Sequence, residues 1–320
     1  MKPKLTRRRA LAVLAGMGLA AHGARAGGAS RAPVLEWRGT ALGADATLVF
    51  ANANKEKAAD ALAACLAEID RLERIFSLHL DGSEISQLNA QGYLDQPSFD
   101  MQALLTQSLR MHYSTDGLFD PTVQAIWNFC HHQALSRGDA NFSPSRDVLE
   151  KVGCKSISIG ADRVVLKPGM SITLNGIAQG YITDRVADIL HRRGWKDVLI
   201  DLGETRVLEG QSFDVELGES GRKIPISNGA LATSSSAPLP FGAMGELPHL
   251  FNPQSGVVAS REWSAVSVAH ASAAVADGLS TALILCGGVD LHPARRILSR
   301  FPGVRAWITR SDRTELILTA

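Results

Sequence analysis

The first candidate for chemistry in this sequence is the pair Asp277 and Thr281, four residues apart in a segment with a helical pattern. Side chains at this spacing lie on one face of a helix, so the carboxylate and the hydroxyl would point the same way. Both are hard oxygen ligands, of which Mg²⁺ takes one or two from a protein while substrate oxygens and water complete its coordination. Many helices carry the same pair without a metal, so the spacing alone leaves open whether this pair binds Mg²⁺.

The second candidate is the segment T-L-N-G-I-A-Q-G-Y at residues 173–181, where a strand-like stretch enters a helix through Gly176 and Gly180. Free N–H groups at such a helix start bind phosphate oxygens. The segment is neither a Walker loop nor a dinucleotide-binding G-x-G-x-x-G motif. Close packing of the helix against a neighbouring element explains the glycines equally well.

Two loop segments are further candidates. Residues 117–122, G-L-F-D-P-T, form a tight turn into a helix with Asp120 as its cap, and plain capping is the simpler explanation. His249 lies in a predicted loop, where an imidazole could transfer protons, although most loop histidines have no such role. The sequence contains no G-x-S-x-G or H-E-x-x-H motif, so a serine hydrolase or a zinc peptidase has no support.

The elements that must position these residues are those of an α+β protein. Helices and hairpins alternate without regular βαβ units, which favours this class over a doubly wound parallel sheet. Hydrophobic spacing predicts helices over 55–76, over 101–113, from residue 120, over 178–193, and from a Ser272 cap to just before Gly287. Strands are predicted over 46–50, 157–159, 163–166, 197–202, 206–209, 213–217, 223–227, 264–268, 304–310 and 313–319, and loops over 131–147 and 229–245.

Residues 1–26 have the composition of an export signal. They contain six basic residues and no acidic one, an apolar run over 10–21, and a small-x-small end at 24–26. The run is too short for a bilayer, which takes about 20 apolar residues. The run T-R-R-R-A-L at 6–11 fits twin-arginine export, with a general secretory signal as the alternative. We expect a mature chain that starts near Gly27, a linker over 27–36, one domain over 37–320, and a periplasmic location.

Charge and cysteine content narrow the function classes further. The 320 residues include 33 Lys and Arg against 32 Asp and Glu, and loss of the six basic leader residues leaves a net charge of −5. Bulk charge therefore excludes a dedicated nucleic-acid binder, and an anionic ligand would need a local device such as a metal ion. The four cysteines form no C-x-x-C pair, so we expect buried thiols, with disulfides as the alternative in an oxidising compartment. After the leader, we expect no transmembrane segment in the mature chain.

Taken in order along the chain, these segments make the sequence resemble the ApbE family of FAD:protein FMN transferases. Each block is short, but seven of them occur in the family's order through nearly the whole mature chain. The blocks are W-R-G-T-A-L-G at 37–43, L-E-R-I-F-S at 72–77 with S-E-I-S-Q-L-N at 83–89, G-L-F-D-P-T at 117–122, T-L-N-G-I-A-Q-G-Y-I-T-D at 173–184, A-T-S at 232–234, H-L-F-N-P-Q-S-G at 249–256, and A-D-G-L-S-T-A at 276–282.

The resemblance implies an ApbE-like mixed fold with antiparallel-rich sheets flanked by helices. It also implies the Mg²⁺-dependent transfer of FMN from FAD to a Thr hydroxyl of an acceptor protein, with release of AMP. The Gly176 carbonyl, Asp277 and Thr281 match the family's metal ligands, so Asp277 takes a catalytic role through the metal. His249 is the candidate to accept or orient the proton of the attacking hydroxyl. The positions that match the family's FAD contacts are Leu42, His79, Leu118, Phe119, Asp120, Thr173, Gln179 and Phe251.

Four positions depart from the family pattern. Thr173 and Gln179 replace an Asp and a Lys, and His79 replaces a Tyr expected to stack on the flavin. Asn252 replaces an Asp beside His249 whose charge could raise the histidine pKa. The metal pair is intact, which favours an active enzyme; a non-catalytic periplasmic FAD carrier or maturation chaperone is the alternative. The sequence at 173–181 and the leader also resemble the NosX-like branch of the family, which serves nitrous-oxide reductase maturation. The acceptor would then be a membrane flavoprotein.

Overall fold

The computed structural model describes residues 34–41, 43–137, 143–240 and 246–320. Its strands are β1 (Val34–Ala41), β2 (Ala44–Ala51), β3 (Tyr93–Asp95), β4 (Ser158–Ile159), β5 (Arg163–Val165), β6 (Val198–Asp201), β7 (Thr205–Val207), β8 (Phe213–Glu216), β9 (Lys223–Ile226), β10 (Gly229–Ser235), β11 (Leu239–Pro240), β12 (Glu246–Leu247), β13 (Trp263–His270), β14 (Arg305–Arg310) and β15 (Glu315–Thr319). Its helices are α1 (Lys55–Phe76), α2 (Glu84–Gln91), α3 (Phe99–Ser114), α4 (Gln124–Arg137), α5 (Arg146–Leu149), α6 (Asn175–Arg192), α7 (Ala273–Ile284) and α8 (His292–Leu298).

An eight-stranded antiparallel sheet organises the fold, in the strand order β1-β2-β6-β7-β10-β13-β14-β15. Three smaller antiparallel sheets, β3-β5-β4, β8-β9 and β11-β12, accompany it in the described part of the chain. Helices and antiparallel strands therefore make up one mixed structure, and the expected α+β class is confirmed.

The main sheet is covered on both faces. The large core lies between the sheet and the helices, where α1, α6 and α7 contribute buried residues such as Leu72, Ile182 and Leu279. On the other face, the β8–β9 hairpin packs Val215 and Ile226 against sheet residues that include Trp307. Burial on two faces explains why successive residues of β13 are buried, in place of the alternation that a half-exposed strand shows.

Helices α6 and α7 approach closely enough that only glycine fits at their crossing. A Cβ atom placed on Gly180 would lie 2.4 Å from the carbonyl oxygen of Ala273, which is backbone and has no side-chain freedom to yield. Helix α7 starts at Ser272, whose hydroxyl accepts a hydrogen bond from the Val275 N–H. The crossing brings the 173–184 and 276–282 blocks of the sequence against each other.

Several predicted elements are confirmed, and four boundaries were wrong. Helix 55–76, the hairpin over 304–319 and the Ser272 cap are found as expected. Residues 131–147 were predicted as a loop, but α4 continues to Arg137 because Cys130 and Ala134 are buried on one of its faces. Residues 229–245 were predicted as a loop, but 229–235 form the central strand β10. The other corrections are the start of α6 at 175 in place of 178, and the start of β1 at 34, within the predicted linker 27–36.

The leader at 1–26 lies outside the described residues. Among the helices that the structure describes, none has the length and apolar character needed to cross a bilayer. The four cysteines are free thiols, as expected: Cys65, Cys130 and Cys154 are buried and Cys286 is half-buried. Burial raises the pKa of each thiol, so all four are protonated and chemically quiet near neutral pH.

Candidate active site

The three predicted metal ligands meet at the crossing of α6 and α7. The Thr281 hydroxyl oxygen lies 3.5 Å from the Gly176 carbonyl oxygen. One turn along α7, the Oδ2 atom of Asp277 accepts a hydrogen bond of 3.0 Å from the Gly180 N–H. These two contacts thus bring the three predicted ligands to adjacent turns of one helix crossing.

The burial, charge and atom types of this oxygen cluster fit a divalent cation. Asp277 is only 3% exposed, and among the described residues no Lys, Arg or His forms an ion pair with it. Burial, with a further contribution from the charge of Asp184, raises its pKa from 3.8 to about 7. A buried carboxylate with a single N–H donor is costly unless a positive charge balances it. The ligand atoms are all hard oxygens, which matches Mg²⁺.

Gly176 leaves the space that an ion at this position requires. A Cβ atom at Gly176 would lie 2.9 Å from the Thr281 hydroxyl oxygen and would crowd the side of the crossing where the ligands meet. The Ser234 hydroxyl, from the A-T-S block on β10, lies 2.9 Å from the Ser280 hydroxyl and 3.4 Å from the Thr281 hydroxyl. The A-T-S block on β10 therefore contacts the same cluster.

A second buried carboxylate, Glu204, was missed by the sequence reasoning. It lies between β6 and β7, is 6% exposed, and its Oε2 atom accepts a hydrogen bond of 3.2 Å from the Thr233 N–H. Burial first, and then the negative charge of Asp277, raise its pKa well above the usual value. An acidic residue in a short hairpin turn is normally exposed, so the local pattern held no signal for its burial.

The start of α6 offers fewer free amides than the sequence suggested. The N–H groups of Ile177 and Ala178 both donate to the Leu174 carbonyl, and the Asn175 N–H donates to the Thr173 hydroxyl at 3.2 Å. In the first turn, only the Gly176 N–H makes no hydrogen bond with the described part of the chain. Several N–H groups at this helix start were expected to be free for phosphate oxygens, but in the first turn only that of Gly176 is.

Thr173 and Gln179 lie on either side of this turn. The Thr173 N–H donates to the Pro121 carbonyl at 2.8 Å, which ties the 173–184 block to the 117–122 block. Gln179 is half-buried and faces Gly203, where a Cβ atom would lie 2.5 Å from the Gln179 amide nitrogen. Gly203 also has a φ of +95°, so both its space and its backbone conformation favour glycine.

Asp120 organises the 117–122 block through its side chain. Its Oδ1 atom accepts from the N–H and the hydroxyl of Thr122 at 2.8 and 2.5 Å, and its Oδ2 atom accepts from the Cys154 N–H at 3.1 Å. Burial works to raise its pKa, but the hydrogen bonds from His112, Thr122 and Cys154 together hold that pKa below the usual value. The carboxylate is therefore engaged by protein groups. Next to it, Phe119 is buried and Leu118 is half-buried.

His112, Asp120 and Cys154 bring three metal-ligating side chains within 4.8 Å of one another. Hydrogen bonds account for this cluster, because His112 Nδ1 lies 3.0 Å from the Phe119 carbonyl oxygen and 3.3 Å from Asp120 Oδ2. The pKa of the Cys154 thiol is raised by burial and by Asp120, which keeps the thiol protonated. The sequence spacing did not predict this cluster, because its three residues come from separate segments of the chain.

A cleft of about 600 Å³ lies beside this cluster. Gly117, Asp120, Pro253 and Gln254 are among the residues that line it. The Gln254 side-chain amide donates to the Asp116 carbonyl at 2.8 Å and links the two segments. The 117–122 and 249–256 blocks, which are far apart in sequence, are neighbours in the fold.

The residues of the 249–256 loop differ in burial and in hydrogen bonding. His249 is half-buried, and burial lowers its pKa. The Asn252 side chain accepts from the N–H groups of Gln254 and Ser255 at 2.9 and 3.3 Å, so it stabilises the turn and does not bind His249. Phe251 is 3% exposed and packs in a cluster with Ile126 and other apolar residues of the α4–α5 region.

The remaining predicted positions lie apart from the α6–α7 crossing or outside the described residues. His79 is exposed in the loop after α1, where its N–H donates to the Ser77 hydroxyl at 3.2 Å. Leu42 lies outside the described residues. The structure thus brings the predicted metal ligands to one helix crossing, links the 117–122, 173–184 and 249–256 blocks by contacts, and leaves His79 on the surface.

Comparisons with known proteins identify the family of this chain. The sequence profile of the ApbE family matches residues 42–308. The chain is 23% identical to the FAD:protein FMN transferase of Haemophilus influenzae, over 73% of this chain and 74% of that protein, and 25% identical to that of Treponema pallidum, over 77% and 75%.

Solved structures share the fold. The flavinyl transferase ApbE of Pseudomonas stutzeri superimposes with a TM-score of 0.75 at 21% identity, covering 91% of this chain and 97% of that one. The ApbE protein of Thermotoga maritima gives a TM-score of 0.74 at 24% identity, covering 89% and 96%. With a family match over most of its length and an α+β structure of the same architecture, the chain belongs to the ApbE family.

Proposed function

We propose that this protein transfers FMN from FAD to a Thr hydroxyl of an acceptor protein, with Mg²⁺ at the α6–α7 crossing. The observation that carries the proposal is the oxygen cluster of Gly176, Asp277 and Thr281, in which the Asp277 carboxylate is buried and has no ion-pair partner among the described residues. The names of the curated relatives, FAD:protein FMN transferases, support the same activity.

The reaction is a phosphoryl-group displacement. The acceptor hydroxyl oxygen forms a bond to the phosphorus of the FMN half of FAD, and the bond from that phosphorus to the oxygen of the AMP half breaks. The products are a protein–FMN phosphodiester, AMP and one proton. Mg²⁺, when bound, supplies positive charge to the pyrophosphate oxygens.

The chain's own residues supply orientation and proton transfer. Asp277, Thr281 and the Gly176 carbonyl would hold the ion. The free N–H of Gly176 is placed to donate to a phosphate oxygen at the start of α6. His249 would accept the proton of the attacking hydroxyl, and the burial that lowers its pKa keeps the imidazole neutral and able to act as a base near pH 7.

The departures from the family pattern shape the FAD site. His79 has a flat ring and is exposed, so it is available to stack on a flavin, although with less area than a Tyr. Gln179 offers an amide where the family has a Lys, which removes a positive charge from the site. A mildly acidic protein with one fewer local cation would depend more strongly on Mg²⁺ to bind an anionic dinucleotide.

We also propose the setting of this reaction. The leader at 1–26 supports export to the periplasm by the twin-arginine route, which moves folded proteins. The likeness of the 173–181 block to the NosX-like branch supports a membrane flavoprotein of nitrous-oxide reduction as the acceptor.

The proposed function is tested by mixing the purified mature protein with FAD, Mg²⁺ and a purified periplasmic acceptor domain. Flavin fluorescence that remains on the acceptor after denaturing electrophoresis, together with one AMP released per label, supports the transferase. FAD binding with neither label nor AMP would contradict it and would favour the alternative, a periplasmic FAD carrier or maturation chaperone.

A further inference from the structure

Helices α6 and α7 pair through three contacts that repeat every four residues along each helix. The pairs, from one end of the crossing to the other, are Gly176 with Thr281, Gly180 with Asp277, and Asp184 with Ala273. Residues spaced by four lie in one row on a helix surface, so the two rows run past each other in opposite directions. The first two pairs contain every predicted metal ligand, and the third contains none.

The third pair fixes the start of α7. The Oδ1 atom of Asp184 accepts from the Ala273 N–H at 2.9 Å, and its Oδ2 atom accepts from the Ala274 N–H at 3.1 Å and the Ser272 hydroxyl at 2.6 Å. Arg206 donates to the Oδ1 atom at 2.5 Å as well and holds the carboxylate from the other side. A carboxylate at a helix N-terminus is favourable for both the free N–H groups and the helix dipole.

The position of Asp277 along the crossing depends on this anchor. Asp277 lies four residues after Ala273, about 6 Å along the helix axis at 1.5 Å per residue. Gly180 permits the close approach of the helices but does not by itself prevent α7 from sliding along α6. Asp184, which binds two consecutive N–H groups and the cap hydroxyl, opposes such a slide.

We propose that Asp184 is a positioning residue of the metal site: by anchoring the first turn of α7 to α6, it sets the register at which Asp277 and Thr281 meet the Gly176 carbonyl. It does so without touching the ion or FAD. This inference rests on the proposed function in so far as it requires a divalent cation at the crossing.

Asp184 also carries a negative charge near Asp277, and a cation is attracted by that charge. Arg206, 2.5 Å from the Asp184 carboxylate, balances part of the charge. Loss of the charge and loss of the anchor would both weaken cation binding. Asp184→Asn separates the two roles, because it loses the charge but keeps one acceptor oxygen: an Asn variant that binds as weakly as the Ala variant would assign the effect to charge and not to position.

The test measures Mn²⁺ binding to the mature protein by electron paramagnetic resonance of the free ion, with no acceptor present. Asp184→Ala should raise the Kd for Mn²⁺ about tenfold or more, in the range found when groups behind metal ligands are removed. Asp184→Asn keeps one acceptor oxygen and should fall between the wild type and Asp184→Ala. Asp188→Ala, which removes an exposed carboxylate one turn further along α6, is the matched control and should leave the Kd within twofold.

Loss of stability must be separated from loss of register. Val186→Ala removes buried volume elsewhere on α6 and should lower Tm without changing the Kd for Mn²⁺. In transfer assays, Asp184→Ala should raise the Mg²⁺ concentration for half-maximal rate about tenfold while kcat at saturating Mg²⁺ stays within about threefold. A variant that is merely unstable would lose active enzyme at an unchanged Mg²⁺ requirement, and that result would overturn the inference.

Failure of the inference and failure of the proposed function give different results. A wild-type protein that binds no Mn²⁺, with or without FAD, contradicts the metal-dependent function itself. A wild type that binds Mn²⁺ and an Asp184→Ala variant that binds it equally or more tightly contradict the positioning role alone.

Discussion

Gly180→Ala is expected to damage the crossing of α6 and α7 and with it the metal site. The new Cβ atom would lie 2.4 Å from the Ala273 carbonyl oxygen, so the helices must move apart. Replacing Gly by Ala inside a helix gains about 1 kcal/mol of propensity, whereas overpacking against rigid backbone costs about 1–3 kcal/mol. Because the overlap is with backbone, we expect the upper end of this cost and a net loss of about 2 kcal/mol in the free energy of unfolding, which corresponds to a Tm lower by about 3–4 °C.

The same movement should affect catalysis more strongly than stability. Gly180 donates its N–H to Asp277 at 3.0 Å, so separation of the helices displaces a proposed metal ligand directly. A displacement near 1 Å in a reacting site costs up to about a hundredfold in rate, and we expect a loss of about ten- to a hundredfold in FMN transfer.

Gly278→Ala is the matched control for this prediction. It makes the same change inside a helix, but its Cβ would meet the flexible side chain of Met111 at 2.9 Å, which can move. We expect a change within about 1 kcal/mol in urea denaturation and nearly normal transfer. A Gly180→Ala protein with wild-type Tm and transfer rate would refute the account of the crossing.

Two further predictions concern proton transfer and metal binding. His249→Ala should slow transfer about 10²–10⁴-fold with unchanged FAD affinity in a fluorescence titration. Because burial lowers the pKa of His249 from its usual 6.5, the acid limb of the wild-type rate at saturating Mg²⁺ should be centred below pH 6.5, and an acid limb centred above that value would exclude His249 as the base. Because the pKa of Asp277 is raised from 3.8 to about 7, the folded metal-free protein binds more protons than the unfolded chain, and this group's contribution to stability falls as the pH rises through that window. Mg²⁺ binds the ionised form, so the Tm increase that it produces should grow from about pH 4 to about pH 7; a pH-independent increase would contradict the site.

Local patterns predicted much of the fold because they reflect local physics. The amphipathic spacing of 55–76 required a helix with one buried face, and the cap at Ser272 marked the start of α7 correctly. Strand β10 was not predicted, because its small and polar residues, 229–235, have the composition of a loop. They form a strand because β7 and β13 pair with it on either side and α7 packs against it. That environment comes from distant parts of the chain, and local propensity does not contain it.

The sequence could bring two of the proposed ligands together on one helix, but it could not reveal the residues packed around them. The four-residue spacing of Asp277 and Thr281 put both on one helix face, but the partner carbonyl of Gly176 lies 105 residues away and was assigned only through the family resemblance. The burial of Glu204 could not be predicted, because it results from tertiary packing and not from the sequence of the turn. The hydrogen bonds of the Asn252 side chain within its own turn likewise depend on the loop geometry, which the sequence does not specify.

The most direct test of the central claim is the Mg²⁺ dependence of FMN transfer by Asp277→Asn. This change keeps the size of the side chain and an oxygen that can accept from the Gly180 N–H, but it removes the negative charge from the proposed ligand. Asp188→Asn, on the exposed side of α6, is the control. We predict that Asp277→Asn folds normally yet releases almost no AMP and labels no acceptor at Mg²⁺ and FAD concentrations that saturate the wild type and the control. Transfer by Asp277→Asn at the wild-type rate and with the wild-type Mg²⁺ requirement would contradict the account.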